Sequence, residues 1–332
     1  HLCDRRQRQM CIRDRSKDWR LMKSRIIGTG SSCPEYVVTN DMLSQLVDTN
    51  DEWIQTRTGI CRRHIADRND DAACLKLAAE ASHKALIRAG TNAEDIDMIL
   101  FATSTPDSVY PNMASLLQRE LGAVNAAGYD INAACSGFIY ALSAADAFIR
   151  AGMAEKILLV GAEIMSRHVD WNDRSTCVLF GDGAGAVVIA PDDKYGIEAL
   201  SLHNDGNAGD ALSCSTSGHI AMNGQEVFRF AVRRVPEVIE EVLGKCGWSK
   251  EDADLYVLHQ ANIRIIQSAA RRLDIDIDRF AVNLDEYGNT SAASIPLLLA
   301  QLDEEGRLEQ GKRIVCSGFG AGLSWGAAAL TW

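Results

Sequence analysis

The sequence predicts an α/β fold with two similar halves, in which mostly parallel sheets are covered by helices. Two observations lead to this prediction. From Arg25 onward, short apolar runs alternate with helical stretches, which is the pattern of strands connected by covering helices. Segments of the first half also recur in the same order in the second half, which indicates an internal duplication. EDIDMILFATST is echoed by EDADLYVLHQAN, GDGAGAVVIA by GFGAGLSWGAAAL, and a helix precedes each DxD strand.

The first half begins with a strand and a turn and then alternates helices with buried strands. The helix predicted over 70–90 has an acidic start and a glycine stop. The other predicted elements are a strand and turn in RIIGTG, a buried strand in DIDMILFATST, an Ala-rich helix over 136–152, a buried strand in KILLVGAEI, and two strands around a Gly-rich turn in CVLFGDGAGAVVIA.

The second half repeats this plan. Its predicted elements are a Gly-terminated helix in FRFAVRRVPEVIEEVLGKCG, a strand in DADLYVLHQAN, a helix in IRIIQSAARRL, and two strands around a Gly-rich turn in IVCSGFGAGLSWGAAALTW. Active sites in such folds collect at the carboxyl ends of strands. Ser104, His259 and the Gly-rich turns fall at these ends.

Composition describes a globular protein and excludes several classes. The chain has 332 residues, of which 47% are hydrophobic and 24% charged, enough for a substantial interior. No apolar run reaches the roughly 18 residues of a membrane span. The net charge of −11 argues against nucleic acid as a partner. The ten cysteines show neither CxxC pairs nor zinc-ligand spacing, which favours reduced thiols in the cytoplasm.

The first residues differ from the rest. Residues 1–24 carry eight basic and three acidic side chains, a net +5, so the remainder carries −16. The segment has no helical or strand period, and RRQRQMCIRDR resembles translated sequencing adapter. We therefore expect 1–21 to be a non-native or disordered leader, followed by an N-terminal half over 22–195 and a C-terminal half over 196–332.

Cys135 is the candidate nucleophile. In DINAACSGFIYALSAAD it lies at a strand-to-helix junction, where the helix dipole and backbone N–H groups lower a thiol pKa and favour the thiolate. Gly137 allows a ligand or backbone to approach closely. The position is also compatible with a buried structural cysteine.

Two further polar residues could take part in chemistry. His259 follows an apolar strand in VLHQANIRII and could move a proton, although a hydrogen-bonded core histidine fits equally. Asn289 lies in a polar turn before an apolar helix in EYGNTSAASIPLLLA. It could donate to an oxyanion, while the pattern alone is also typical of a helix cap.

FGDGAGA superficially suggests a phosphate-binding loop. It lacks a GK[ST] ending and does not open a helix with GxGxxG. We interpret it as a tight turn in a sheet hairpin, so it does not support a nucleotide-dependent oxidoreductase.

NAACSGF, HQANIRII and GNTSAAS, in this order, resemble the signature segments of β-ketoacyl-acyl-carrier-protein synthase III, the chain-initiating condensing enzyme of the thiolase superfamily. Further similar segments are IIGTGSSCPEYVVTN, VDTNDEWIQTRTGI, FGDGAGA and GFGAGLSWGAA. The resemblance spans Lys23 to Trp332. A Cys-His-Asn set distinguishes this family from elongating synthases, which use Cys-His-His, and from thiolases, which use a second Cys.

The resemblance implies a thiolase-like, five-layered αβαβα fold with two duplicated halves, and a homodimer. The implied reaction is the decarboxylative condensation of an acyl-CoA starter, expected to be acetyl-CoA, with malonyl-acyl carrier protein. The products are a 3-oxoacyl-acyl carrier protein, CoA and CO2, which initiates fatty acid synthesis. The resemblance implies no metal or redox cofactor.

The resemblance also implies roles for individual residues. Cys135 is the nucleophile in the N-terminal half, and His259 and Asn289 in the C-terminal half support decarboxylation and condensation. The remaining implied positions are the backbone N–H groups of Cys135 and Ala321 in the oxyanion hole, Trp53, Arg57, Arg174, Phe228 and Asn262 in CoA binding, and Tyr110 and Phe319 in the acyl pocket. Tyr110 stands where the family's dimer partner contributes an aromatic residue, Ala321 where glycine is common, and Gln225 where asparagine is usual.

The expected carrier protein is acidic, so an acidic enzyme needs a local basic surface. Arg264, Arg271 and Arg272 lie at i, i+7 and i+8 of one predicted helix and therefore share a face. Arg229 lies on the preceding helix. These four residues are the predicted carrier-protein surface, although a solvated basic face is the alternative.

Three alternatives remain at this point. The chain could be a synthase of the same fold with another starter or acceptor, such as a secondary-metabolite or long-chain-ketone synthase. It could be a non-catalytic partner subunit, but such subunits usually lose the nucleophile. A redox-sensing thiol protein would need a resolving cysteine, and none lies near Cys135 in sequence.

Overall fold

The computed structural model describes residues 19–332, and its strands are short and largely buried. The strands are β1 Lys23–Ser32, β2 Val37–Thr39, β3 Arg62–His64, β4 Met98–Ala102, β5 Ala127–Ile131, β6 Ile157–Ile164, β7 Asp182–Asp192, β8 Gly196–Asn204, β9 Leu212–Ser213, β10 Ala221–Met222, β11 Leu255–Leu258, β12 Arg313–Gly320 and β13 Ser324–Thr331.

The helices alternate with these strands. They are α1 Asn40–Leu43, α2 Asp51–Thr58, α3 Ala73–Arg88, α4 Met113–Leu121, α5 Gly137–Arg150, α6 Arg174–Cys177, α7 Gly224–Cys246, α8 Ile263–Leu273, α9 Leu284–Tyr287 and α10 Ser294–Glu304. Short 3-10 turns precede the two central helices, at Ala134–Ser136 before α5 and at Ser291–Ala293 before α10.

Two large sheets share one strand plan. The first has the order β1-β7-β6-β4-β5, and the second has the order β8-β13-β12-β11. In the first sheet β7 is antiparallel to both of its neighbours, β1 and β6, and in the second sheet β13 is antiparallel to both of its neighbours, β8 and β12. The next strand is then parallel to its neighbour: β4 beside β6, and β11 beside β12. Strand β4 is thus the counterpart of β11, as the matching DxD segments predicted.

The layers alternate as αβαβα. Helix α3 packs on the outer face of the first sheet, against β1, β7 and β6. Helices α5 and α10 lie between the two sheets, and their apolar side chains form one buried cluster with both. Helices α7 and α8 cover the outer face of the second sheet. The predicted five-layered thiolase-like arrangement with duplicated halves is confirmed.

Most predicted elements appear where the sequence placed them, including α3, α5, α7, α8 and the β12–β13 hairpin. Two predicted turns were wrong. RIIGTG continues without a turn in β1, and GDGAGAVVIA forms the single strand β7.

The glycines of β7 serve close packing instead of turning the chain. A Cβ on Gly185 would lie 2.3 Å from the backbone nitrogen of Leu297 and 2.5 Å from the carbonyl carbon of Pro296. Helix α10 therefore approaches the sheet more closely than any side chain at this position would allow.

The predicted leader, 1–21, lies outside the described residues except for its last three. Trp19–Leu21 forms a 3-10 turn, with the Trp19 ring beside Gly152 after α5. Over residues 19–332, no helix has both the length and the apolarity needed to cross a bilayer.

Replacing Gly185 with Ala should lower the free energy of unfolding by about 3 kcal/mol, because backbone atoms of α10 occupy the space that the new methyl group needs. Gly244→Ala is the matched control. Gly244 lies exposed in α7, where an added Cβ would meet no atom within 4 Å, and alanine there should be neutral or stabilise by about 0.5–1 kcal/mol. Urea denaturation measures both, and equal midpoints for the two variants would contradict the packing argument.

Candidate active site

A cavity of about 540 Å³ opens between the two halves of the chain and brings the three predicted catalytic side chains together. Cys135, His259 and Asn289 line its inner part with Phe319 and Gly320. All three catalytic candidates are buried. They come from distant parts of the sequence, so the fold assembles the site from both halves.

Cys135 lies in the 3-10 turn that leads into α5, at the carboxyl end of the first sheet. Its position depends on a close approach by the end of β12. A Cβ on Gly320 would lie 2.7 Å from the Cys135 nitrogen and 3.0 Å from its Cβ. Glycine at 320 is therefore what allows the loop after β12 to lie against the nucleophile's N–H group.

The expected lowering of the thiol pKa is wrong for this site. Burial raises the pKa of Cys135 to about 12, while the neighbouring Ser291 side chain and the residue's own N–H group favour the charged form. Desolvation outweighs the helix N-terminus because the side chain of Cys135 is buried at the inner end of the cavity. The resting thiol is therefore protonated at neutral pH.

His259 follows β11 and is only 2% exposed. Its Nδ1 atom lies 2.7 Å from Oγ of Ser294, the first residue of α10. The Gln260 amide already donates to that oxygen at 3.5 Å, which favours Ser294 as donor to Nδ1 and leaves Nε2–H as a donor. Burial lowers the pKa of His259 to about 3, so the ring is neutral at physiological pH.

Asn289 is not a helix cap. The cap position of α10 is Ala293, which makes no side-chain hydrogen bond there. The Asn289 Oδ1 atom instead accepts from the Ser291 amide at 2.9 Å, and its backbone bonds to Leu179 and Gly181. With Oδ1 engaged, the Nδ2 group remains available as a hydrogen-bond donor in the cavity.

The second predicted oxyanion-hole residue, Ala321, directly follows Gly320. Ala134, Asp274 and Ser291 are the non-glycine residues with positive φ in the described part of the chain, and Ala321 is not among them. The backbone at 321 therefore suits an alanine, and its N–H group follows the residue that touches Cys135.

The outer cavity contains the predicted CoA residues Trp53, Arg57, Phe228 and Asn262. The Arg57 guanidinium carbon lies 4.5 Å from the Trp53 ring centroid, and that of Arg174 lies 4.8 Å from it. Arg174 does not itself line the cavity in this arrangement, because it stacks on Trp53 and donates to the Asp48 carbonyl oxygen at 2.7 Å.

Asn262 combines two roles. Its side chain accepts from the Arg264 amide at 2.9 Å and so caps α8, and it also lines the cavity. Gln225, where the family usually has asparagine, lines the rim and is exposed.

The two acyl-pocket candidates lie in different places. Phe319 is buried in the cavity, and its ring packs edge-on against the His259 imidazole with centroids 5.3 Å apart. Tyr110 is 86% exposed and does not reach the cavity of its own chain.

The four predicted carrier-protein arginines are all exposed and lie around the cavity mouth or on the adjoining helix α8. Arg229 and Arg264 line the mouth directly. Arg272 donates to the Val232 carbonyl oxygen on α7 at 2.9 Å, which ties the two helices together. Among residues 19–332, no cluster of three or more His, Cys, Asp or Glu side chains is arranged to hold a metal.

Sequence reasoning missed two polar residues behind the nucleophile. Ser291 adjoins the Cys135 thiol, and its hydroxyl donates to the carboxylate of Glu163 at 2.9 Å. Glu163 lies in β6 and is fully buried. The signal for Glu163 was present as one acidic residue inside the apolar strand KILLVGAEI, because buried carboxylates are rare without partners.

Comparisons with known proteins identify the family of this chain. Residues 243–332 match the C-terminal model of 3-oxoacyl-[acyl-carrier-protein (ACP)] synthase III, and residues 129–206 match the family's other model. A β-ketoacyl-[acyl-carrier-protein] synthase III of Xanthomonas euvesicatoria is 47% identical over 92% of this chain and 98% of its own. One from Synechococcus is 48% identical over 92% of this chain and 95% of its own.

A solved structure gives the same result in three dimensions. The crystal structure of 3-oxoacyl-[acyl-carrier-protein] synthase III from Aquifex aeolicus superposes with a TM-score of 0.91 at 46% identity, covering 93% of this chain and all of that one. These relatives and the duplicated α/β fold define a condensing enzyme. The chain belongs to the β-ketoacyl-acyl-carrier-protein synthase III family.

The neutral state of His259 gives a pH prediction. A catalytic histidine with an ordinary pKa near 6.5 would impose an acidic limb on decarboxylation between pH 7 and 5.5. Because burial lowers the pKa of His259 to about 3, CO2 release should stay flat across that range. A stopped assay of CO2 release from malonyl-acyl carrier protein measures this. A fall of about eightfold between pH 7 and 5.5, as expected for a pKa of 6.5, would contradict a neutral imidazole.

Proposed function

We propose that this protein catalyses the chain-initiating condensation of fatty acid synthesis, in which an acyl-CoA starter reacts with malonyl-acyl carrier protein. The starter we propose is acetyl-CoA. The observation that carries the proposal is the convergence of Cys135, His259 and Asn289 at the inner end of one cavity. Relatives at 46–48% identity bear the name of this enzyme, which favours it over same-fold synthases with other products.

Acyl transfer is the first half-reaction. The Cys135 sulfur attacks the thioester carbonyl, and the N–H groups of Cys135 and Ala321 stabilise the tetrahedral oxyanion. The closeness of Gly320 to the Cys135 nitrogen supports this pairing. CoA leaves, and the acyl group remains on sulfur.

Condensation follows in the same cavity. The malonyl thioester carbonyl accepts hydrogen bonds from His259 Nε2–H and Asn289 Nδ2–H, so loss of CO2 gives a stabilised enolate. The enolate carbon then attacks the acyl thioester on Cys135. Both donors are neutral and buried, so they need no reorganisation when charge develops on the oxygen.

The outer cavity suits the CoA nucleotide. Arg57, Arg229 and Arg264 supply positive charge at the mouth for its phosphates. An adenine between Trp53 and Arg174 needs about 7 Å between the two stacking partners. Because Arg174 now lies 4.8 Å from the Trp53 ring centroid, it must move outward by about 2 Å when the base enters.

We propose a homodimer that completes the acyl pocket. Strand β5 is the last strand of its sheet, and its residues are exposed or half-buried. The Met113 amide at the start of α4 is bound by Asp130 of β5, so the exposed Tyr110 lies near this edge. Pairing of β5 with a second copy would place Tyr110 at the partner's pocket.

The acceptor partner we propose is acyl carrier protein, bound on the basic surface formed by Arg229, Arg264, Arg271 and Arg272. Their exposure beside the cavity mouth supports this, since the carrier's arm must enter there. We also propose a cytoplasmic location and a reaction without metal or redox cofactor. The free state of Cys33, Cys61, Cys74, Cys135, Cys177, Cys214, Cys246 and Cys316 supports a reducing compartment.

Measuring the two half-reactions separately tests the assigned roles. His259→Ala and Asn289→Ala should each lower CO2 release by about 10²–10³, the usual effect of losing one oxyanion donor, while acylation survives. Cys135→Ala should abolish the acyl-enzyme and retain some malonyl decarboxylation.

The readouts are intact mass after incubation with acetyl-CoA and longer acyl-CoAs, peptide mapping of the adduct, and CO2 release. An adduct on Cys33 or Cys316 would reject Cys135 as nucleophile. If His259→Ala stops acylation as completely as Cys135→Ala does, His259 is the base for the thiol and the division of roles is wrong.

Arg271→Glu tests the carrier-protein surface without touching the cavity. It should lower kcat/KM for malonyl-acyl carrier protein about tenfold at low salt and less at high salt, because surface charge acts on the encounter rate. Acylation by acetyl-CoA should not change. Arg119→Glu, at an exposed position of α4, is the matched control and should alter neither rate. Equal losses in both half-reactions would indicate a folding defect instead.

A further inference from the structure

Glu163 is a buried carboxylate with no part in the reaction described so far. It is 0% exposed, and all five hydrogen bonds that it accepts come from neutral donors. The donors are Thr103 Oγ1 at 3.2 Å, Ser104 N and Oγ at 3.0 Å each, Thr105 Oγ1 at 2.6 Å and Ser291 Oγ at 2.9 Å. A buried carboxylate is costly, and so many donors fix both of its oxygens in place.

Ser291 connects this carboxylate to the nucleophile. Its hydroxyl donates to Glu163 Oε1 at 2.9 Å. The 3-10 turn that contains Ser291 packs against the turn that contains Cys135, and the Ser291 side chain favours the charged form of the thiol. Its amide donates to Asn289 Oδ1 at 2.9 Å, and its φ is +51°. The positive φ and these contacts fix Ser291 between the Glu163 carboxylate and the turn that carries the nucleophile.

The nucleophile needs a proton acceptor because its resting thiol is protonated. His259 is poorly suited to this role. Its burial lowers its pKa to about 3, and its Nδ1 atom is already bonded to Ser294 Oγ at 2.7 Å. Burial has the opposite effect on Glu163, whose pKa it raises above that of an ordinary carboxylic acid. The carboxylate is therefore the stronger base of the two.

We propose that Glu163, acting through the Ser291 hydroxyl, accepts the proton of the Cys135 thiol during attack on the acyl thioester. The inference depends on the role of Cys135 as nucleophile proposed above. In this route Ser291 exchanges a proton with the reacting sulfur, and Glu163 is the final acceptor that acts through Ser291.

The step balances within the site. As the sulfur lone pair forms the bond to the carbonyl carbon, the Sγ–H bond breaks and its proton passes to Ser291 Oγ. Ser291 gives its own proton to Glu163 Oε1. When the tetrahedral intermediate collapses, the bond to CoA sulfur breaks and the proton returns by the same route to the CoA thiolate. Glu163 ends ionised, and the products are acyl-enzyme and CoA thiol.

This route keeps the site at one negative charge. The negative charge of Glu163 repels a thiolate on Cys135 and so raises the pKa of the thiol. Exchange of one proton between the two groups avoids two negative charges in the site at once. A second thiol near Glu163 is that of Cys74 on α3. Burial raises the pKa of Cys74 well above its usual range, and its Sγ atom donates to the Ala162 carbonyl oxygen at 3.7 Å. Cys74 therefore stays neutral and does not compete for the proton.

The test compares pH profiles of Cys135 reactivity. In the unaltered enzyme, acylation by acetyl-CoA and alkylation by iodoacetamide should both be nearly flat from pH 6 to 8, because an internal base takes the proton. Ser291→Ala and Glu163→Gln should each lower acylation at pH 7 by about 10²-fold. Both rates should then rise roughly tenfold per pH unit, because the thiol must lose its proton to solvent.

The substitutions are chosen to preserve the fold. Alanine at 291 is compatible with positive φ, since Ala134 holds φ +46° at the corresponding place before α5. Ser104→Ala is the control, because it removes one donor to Glu163 and leaves the path to Cys135 intact. Its pH profile should remain flat, with a rate within about tenfold of the original.

CO2 release from malonyl-acyl carrier protein reports whether the rest of the site is formed, because it depends on His259 and Asn289. It should be retained in Ser291→Ala and Glu163→Gln. Flat profiles in both variants would overturn the proposal, as would faster alkylation in Glu163→Gln, which would make Glu163 only an opposing charge. Equal loss of decarboxylation and acylation would also overturn it. Alkylation needs no substrate, so it tests the relay even if the proposed reaction is wrong.

Discussion

The close packing of α5 and α10 between the two sheets is the constraint on which the active site depends. Each helix begins where the carboxyl ends of the strands meet, and the two N-termini touch. A Cβ on Gly137 would lie 3.3 Å from the Ala292 Cβ. Cys135 lies in the 3-10 turn before α5, and Asn289 lies just before the 3-10 turn that leads into α10. Tight packing of the central layer therefore brings the nucleophile and the amide donor into one cavity.

The same packing sets the electrostatics. Side chains buried between the two sheets lose contact with water, and this loss disfavours every charged form. The thiol pKa of Cys135 rises, the imidazole pKa of His259 falls, and the carboxyl pKa of Glu163 rises, all chiefly because of burial. Neutral donors act strongly on a developing enolate in such a place. A preformed thiolate is disfavoured there, so proton transfer must accompany the attack.

Sequence reasoning predicted whatever has a local signature. The amphipathic pattern of α8 and the glycine stop of α7 predicted those helices, and the motif segments identified Cys135, His259 and Asn289. It failed where glycines allow helix and sheet to approach, as in β7, because close contact between distant segments leaves no local trace. The prediction that the pKa of Cys135 is lowered was wrong for the same reason, because the burial that raises it depends on the tertiary structure.

The duplication explains the different tasks of the two halves. Ala134 and Ser291 hold nearly the same positive φ, at +46° and +51°, one residue before Cys135 and Ala292 respectively. Asn132 and Asn289 accept the amide two residues ahead in both copies, at 3.3 and 2.9 Å. The turn of the first half carries the thiol of Cys135, and the turn of the second half carries the Ser291 hydroxyl, with the Asn289 amide just before it. Since both turns must fit against each other, a change at either helix start acts on the chemistry of the other.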